Sequence, residues 1–288
     1  MEHCKFDPLP DHETFRSTEN KIKVYIMNLE EIIEKIKSKT GFICDMDGVI
    51  YHGNKVLDGV PEFVEWLKKE NKKFVFLTNS SERTIKELQS KLARMGIDVG
   101  TDHFYTSALA TAAFLQSQKP DGSAYIIGEA GLINAIYNVG YSSNNIDPDY
   151  VVMGESRSYG YEHIEKAVNL VSRGAKLIGT NPDISGPIEN GIAPATKALI
   201  SPIELATGKQ AYFVGKPNPL MMRIALRKLG VRREDSIIIG DRMDTDIVAG
   251  IEAEIDTCLV LSGITDEKVM KEFAYQPHYV LKGVHELM

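Results

Sequence analysis

The sequence predicts an α/β protein built on a doubly wound parallel sheet of Rossmann-like type, interrupted by a smaller inserted α/β unit. Three observations predict this. Short apolar runs alternate with amphipathic helical stretches, the pattern of successive βα units. Acidic or polar clusters follow several of these runs directly, at the strand ends where parallel sheets bind ligands. Finally, about 135 residues separate Asn79 from Lys216, whereas one parallel crossover needs only about a dozen.

Residues 1–18 are polar and turn-rich and predict poor order. Lys21 to Lys39 reads as an amphipathic helix, with Ile26, Leu29, Ile32, Ile33 and Ile36 spaced mostly by three and four and Gly41 ending it. Met27 is an alternative start that would leave residues 1–26 as an extension; residues 1–40, with the amphipathic helix, read as an N-terminal extension to the main unit. Gly41–Cys44 is a short apolar strand. Val60–Lys69 follows as a helix, Lys73–Leu77 as a strand, and Ser81–Met95 as a helix with Ser81 as its cap. Phe104–Thr106 and Ala108–Gln116 continue the alternation. After the long gap, Ala211–Val214 and Ser236–Ile239 read as further strands of the same sheet, each followed by a helix. Thr257–Leu261 and Tyr279–Leu281 close it.

Within the gap lies a second αβ pattern. Ala124–Ile127, Tyr150–Met153 and Lys176–Ile178 are its strands, with helices around 130–138, 162–173 and 196–207. The division predicted is 41–118 plus 211–288 for the main unit and 119–210 for the insertion, which opens at the Lys119-Pro120-Asp121-Gly122 turn.

Composition excludes several classes of function. Net charge is −7 with a pI near 5.6, which argues against a nucleic acid polymer or an anionic membrane as partner. Cys4, Cys44 and Cys258 fit neither a disulfide framework nor a zinc site, and Cys44 reads as a buried thiol. No apolar run reaches the roughly 18 residues of a membrane span, and the first residues carry no signal-peptide pattern. The cytoplasm is expected.

Four clusters carry chemistry. Asp45-Met46-Asp47-Gly48 follows the first strand. Two carboxylates about 4 Å apart repel by about 4 kcal/mol at an effective dielectric of 20, so the pair demands a cation, a shared proton or water. Apolar Val49, Ile50 and Tyr51 argue against a calcium loop. Thr78-Asn79-Ser80-Ser81 ends the next strand and offers hydroxyl, amide and helix-start N–H groups to an anion. Gly215-Lys216-Pro217 fixes the backbone around one lysine. Gly240-Asp241-Arg242-Met243-Asp244-Thr245-Asp246 completes the set. An oxygen-only donor group favours a hard cation, magnesium before calcium where phosphate is also a ligand.

These four clusters, in this order, resemble the motifs of the haloacid dehalogenase superfamily. Leu77-Thr78-Asn79, Gly154-Glu155, Thr180-Asn181-Pro182-Asp183 and Leu261-Ser262-Gly263 are similar to the NagD-type phosphatases of that superfamily. The resemblance covers about residues 41–288 and implies roles. Asp45 would be the nucleophile, and Asp47 the general acid and then base. Thr78, Asn79 and Lys216 would hold the phosphoryl group. Mg2+ would be bound by Asp45, Asp47 (through its carbonyl) and Asp241, with Asp246 supporting. Residues 119–210 would be the family's C2-type cap.

The reaction expected is magnesium-dependent hydrolysis of small phosphorylated metabolites. A phosphotransferase or mutase, and an idle phosphate-binding regulator, are the alternatives. Asn181 and Asp183, with Glu155 and Arg157, are the cap candidates for substrate binding; Tyr51 and His52 are further candidates just past the first motif. Whether the chain is a monomer or a homo-oligomer stays open.

Overall fold

The computed structural model describes residues 28–188 and 191–288. The start of the first predicted helix and Cys4 lie outside them. The described helix spans Leu29–Ser38, where Asn28 and Glu31 exchange bonds in a capping box. It ends before Gly41, and Gly41 opens the first strand instead of terminating the helix.

Six parallel strands form the main sheet, in the order Tyr279–Leu281, Asp256–Val260, Ser236–Gly240, Gly41–Cys44, Lys73–Thr78 and Phe104–Thr106. Alternation sorts their side chains onto two covered faces. Phe42, Cys44, Phe76, Ile237 and Ile239 enter one apolar cluster; Ile43, Val75, Leu77 and Ile238 enter another. Burial on both faces is why these segments read as unbroken apolar runs. Burial also pushes the thiols of Cys44 and Cys258 up, so neither is a reactive thiolate.

A second parallel sheet runs Tyr212–Phe213, Lys176–Gly179, Tyr150–Met153, Ser123–Ile127 and Ser142–Ser143. Helices Tyr161–Ser172 and Thr196–Thr207 cover one face around Val151, Met153, Leu170, Ile200 and Ile203. Ala124, Val152 and Ile178 on the other face join the cluster that holds Ile43 and Leu77, so the two sheets share apolar packing.

The strand expected over Ala211–Val214 departs from its assignment. It spans Tyr212–Phe213 and pairs with Ile178 and Gly179 of the second sheet, not with the main sheet. Gly179 permits this: a Cβ there would stand 2.3 Å from the Phe213 ring. The helix expected from Ser81 begins at Ile85, because Thr84 and Glu87 form the capping box and Ser81 is engaged elsewhere. A hairpin of Ser185–Ile188 and Gly191–Pro194 was not legible, since glycine and two prolines mask its strand character. Among the described residues no helix is long and apolar enough to cross a membrane.

Candidate active site

The backbone N–H of Asp45 extends the first strand by donating to the Ile239 carbonyl at 2.9 Å, which aims the side chain past the sheet's carboxyl end. The chain then turns sharply, with Gly48 at φ 80°. A Cβ at Gly48 would come 2.4 Å from Asp241 Oδ2 and one at Gly263 2.0 Å from the same atom, so two glycines give this carboxylate its space. The Ile264 N–H donates to Asp241 Oδ2 at 2.8 Å. Asp246 lies in a wide helical turn, Met243–Ile247, and its Oδ2 accepts the Arg242 N–H at 3.1 Å. Asp244 points away and binds the Arg242 guanidinium.

Lys216 is buried at 2% exposure and donates to Asp45 Oδ1 and, at 2.7 Å, to Asp246 Oδ1. Because it follows the Tyr212–Phe213 strand, this ammonium reaches the site from the second sheet. Its loop is clamped by Asn79, whose Oδ1 accepts the Lys216 N–H at 2.7 Å and whose Nδ2 donates to the Lys216 carbonyl at 3.0 Å. The same Nδ2 donates to Asp183 Oδ2 at 3.1 Å. The Asn79 side chain is therefore committed to the lysine loop and to Asp183, and is not left to grip a phosphoryl group. Thr78, buried and lining the cleft, keeps its hydroxyl on the Ser80 N–H.

Oxygens of Asp45, Asp241 and Asp246 lie within 4.8 Å of one another. Burial pushes Asp45 well up, against the pull of Lys216 and with Asp246 and Asp241 adding to the rise. Burial, then the neighbouring Asp246, raises Asp241 to about 7. Burial opposes the Lys216 ammonium, but Asp246 and Asp45 outweigh it and hold its pKa above the lysine range. Three carboxylates against one ammonium leave excess negative charge that a hard divalent cation fits.

Asp47 is pushed up by burial, with Lys91, His52 and Arg83 opposing. It lines a cleft of about 860 Å³ together with Asp45, Lys216 and Asp183. Asp183 is likewise raised by burial, opposed by Arg242. His52 lines the cleft and shares a hydrogen bond with the Ser262 carbonyl at 2.7 Å. Tyr51 is buried beneath Lys91.

Asn181 is corrected. It is fully buried, and its Nδ2 donates to the Asn79 carbonyl at 2.8 Å and to Glu155 Oε1 at 2.6 Å. Glu155 also accepts from the hydroxyl and N–H of Ser81. Asn181 thus ties the second-motif loop to the second sheet and does not face a substrate. Sequence reasoning missed Lys91, although a lysine between Leu88 and Leu92 on the buried face of a helix was a readable signal.

Comparison with known proteins agrees with this geometry. A haloacid dehalogenase-like hydrolase model matches residues 42–142, and a second HAD-hydrolase-like model matches 213–287. The dihydroxyacetone phosphatase of Corynebacterium glutamicum is 42% identical over 85% of this chain and 90% of its own length. The solved structure of NagD from Escherichia coli K-12 superposes with a TM-score of 0.81 at 38% identity, covering 87% of this chain and all of that one. A glycerol phosphate phosphatase from Mycobacterium tuberculosis, solved in complex with magnesium, superposes with a TM-score of 0.82 at 25% identity over 88% of this chain and 77% of that one. This chain belongs to the haloacid dehalogenase-like hydrolases, among their NagD-type phosphatases.

Proposed function

We propose that the chain is a magnesium-dependent phosphatase of small phosphomonoesters that works through an aspartyl-phosphate on Asp45. One observation carries this: Lys216 joins Asp45 and Asp246 in a buried pair of bonds, with Asp241 completing a three-carboxylate set around them. Asp45, the Asp47 carbonyl and Asp241 would hold Mg2+, with Asp246 as support. The bound ion supplies positive charge that offsets the phosphoryl oxygens and keeps Asp45 ionised.

The chain's own groups do the rest. An Asp45 oxygen attacks phosphorus while the bond to the leaving oxygen breaks, and Asp47 gives that oxygen a proton. Asp47 suits the task, because burial raises its pKa and favours the protonated form. It next takes a proton from water, whose oxygen attacks phosphorus and returns Asp45 as carboxylate with inorganic phosphate. Lys216 neutralises charge throughout, and Asn79 fixes the lysine loop. The segment from Ser123 to Phe213 serves as the cap, and its Asp183, bonded to Asn79, lines the cleft.

Release of inorganic phosphate from dihydroxyacetone phosphate, glycerol phosphate, nucleoside monophosphates and 4-nitrophenyl phosphate, with Mg2+ or with EDTA, tests the reading. Asp45→Asn should lose about 10⁴-fold or more in kcat while its circular dichroism is unchanged. Turnover surviving in that variant, or undiminished by EDTA, defeats the assignment.

A further inference from the structure

Two lysines are buried at the cleft, and they differ in one respect. Lys216 meets two carboxylates. Lys91, at 6% exposure, forms neither an ion pair nor a hydrogen bond among the described residues; its Nζ lies over the Tyr51 ring, 3.4 Å from the centroid. A cation taken out of water without a counter-charge is costly, and helix Ile85–Arg94 nonetheless turns this one into the cleft wall.

Its position says which part of a ligand it would meet. Asp47 bridges to Tyr51, the residue whose ring lies under Lys91, and Asp47, His52, Arg83 and Lys91 line the same cleft. Asp47 hands its proton to the leaving oxygen, so groups beside it face the leaving group, whereas Lys216 faces the phosphoryl end. The other cleft cations are engaged: Arg242 with Asp244 and Asp183, and Arg157 with Glu82 at 4.0 Å. Arg83 is exposed, lines the same wall and, among the described residues, has no carboxylate within ion-pair distance. Asp47 and Glu82 are the acids facing this stretch, and neither pairs with Lys91.

We infer that Lys91, with Arg83 beside it, forms a cationic subsite that reads a second anionic group on the leaving side of the substrate, a carboxylate or a further phosphate. The inference rests on the phosphatase reading and names a substrate class for it. A charge-assisted bond from the ammonium to that anion would supply the partner the free protein lacks.

The test is kinetic, at pH 7 with Mg2+. 3-Phosphoglycerate and glycerol 3-phosphate differ by a carboxylate in place of a hydroxymethyl group; fructose 1,6-bisphosphate against fructose 6-phosphate asks the same of a second phosphate. In the unaltered protein, kcat/KM should favour the anion-bearing member of at least one pair, and which pair it is identifies the anion. Lys91→Met should cut that preference by about 10-fold or more, mainly through KM, and Lys91→Arg should retain most of it. Arg83→Ala, at an exposed position, should cut it about threefold and keeps the test open if Lys91→Met disturbs Tyr51. Equal loss of kcat on both members with the preference intact would mean that Lys91 merely positions Asp47, and the subsite is then wrong. Hydrolysis without any preference also sinks the subsite alone. No hydrolysis of any substrate, including the panel above, sinks the phosphatase reading and the subsite with it.

Discussion

The floor of the cleft and its wall handle charge in opposite ways. On the floor Lys216, Asp45, Asp241 and Asp246 all have partners: Lys216 bonds Asp45 and Asp246, Asp241 accepts from the Ile264 N–H, and Asp246 accepts from the Arg242 N–H. On the wall Lys91 and Arg83 stand without carboxylate partners among the described residues. For the proposed chemistry such a floor supplies fixed charges and dipoles in advance of the phosphoryl group. The wall keeps unspent charge, which is the form in which a protein stores recognition of a group it does not itself contain. On the proposed reading, reactivity and selectivity are carried by different residues of one cleft.

The two buried lysines should respond differently to loss of charge. Of the two, Lys216→Met should have the larger effect, lowering kcat by about 10³-fold. It should also destabilise the fold by about 3–5 kcal/mol, because removing one partner strands buried carboxylates. Urea denaturation without Mg2+ would show it, and a loss under 1 kcal/mol would contradict the reading of the floor as a tight charge network.

Metal binding should come next. Asp241 is raised to about 7 by burial, so a proton competes with the cation as pH falls through that value. Apparent Mg2+ affinity should drop by up to about tenfold per pH unit below 7 and level off above it. Mg2+ titrations of activity at pH 6, 7 and 8 measure this, and an affinity flat across that range would count against Asp241 as a ligand.

The smallest effect belongs to the wall. Burial lowers Lys91 to about 8 from an ordinary 10.5, with Asp47 opposing. Between those values the unfolded chain holds a proton that the folded chain has released, so folding stability gains a contribution that grows as pH rises from 8 to 10.5. Lys91→Met should remove that gain and leave stability at pH 7 equal or higher by about 1 kcal/mol. Denaturation of both proteins across the range decides it; a Met variant less stable by 2 kcal/mol would reveal a structural role for the ammonium.

Much of the main sheet was legible in advance. Strands at Gly41–Cys44 and Phe104–Thr106 and the helix at Val60–Lys69 have the predicted bounds, because doubly buried strands and amphipathic helices write their periods directly into the sequence. The clusters around Asp45, Thr78 and Asp241 were legible for the same reason: each follows such a strand. Other features were hidden. Ser81 looks like a helix cap, but its hydroxyl is taken by Glu155 from far along the chain. Asn181 looks like a cleft residue, yet its amide is used up on Asn79 and Glu155.

Local pattern and residue chemistry sufficed to fix the alternating elements of the parallel sheet, since these depend on near neighbours along the chain. Folding in three dimensions assigned Tyr212–Phe213 to the second sheet, brought Lys216 across to Asp45, and set Lys91 over Tyr51 without a carboxylate partner among the described residues. A two-residue strand has no period of its own, and whether a charge finds a partner depends on side chains distant in sequence that only packing brings within a few ångströms.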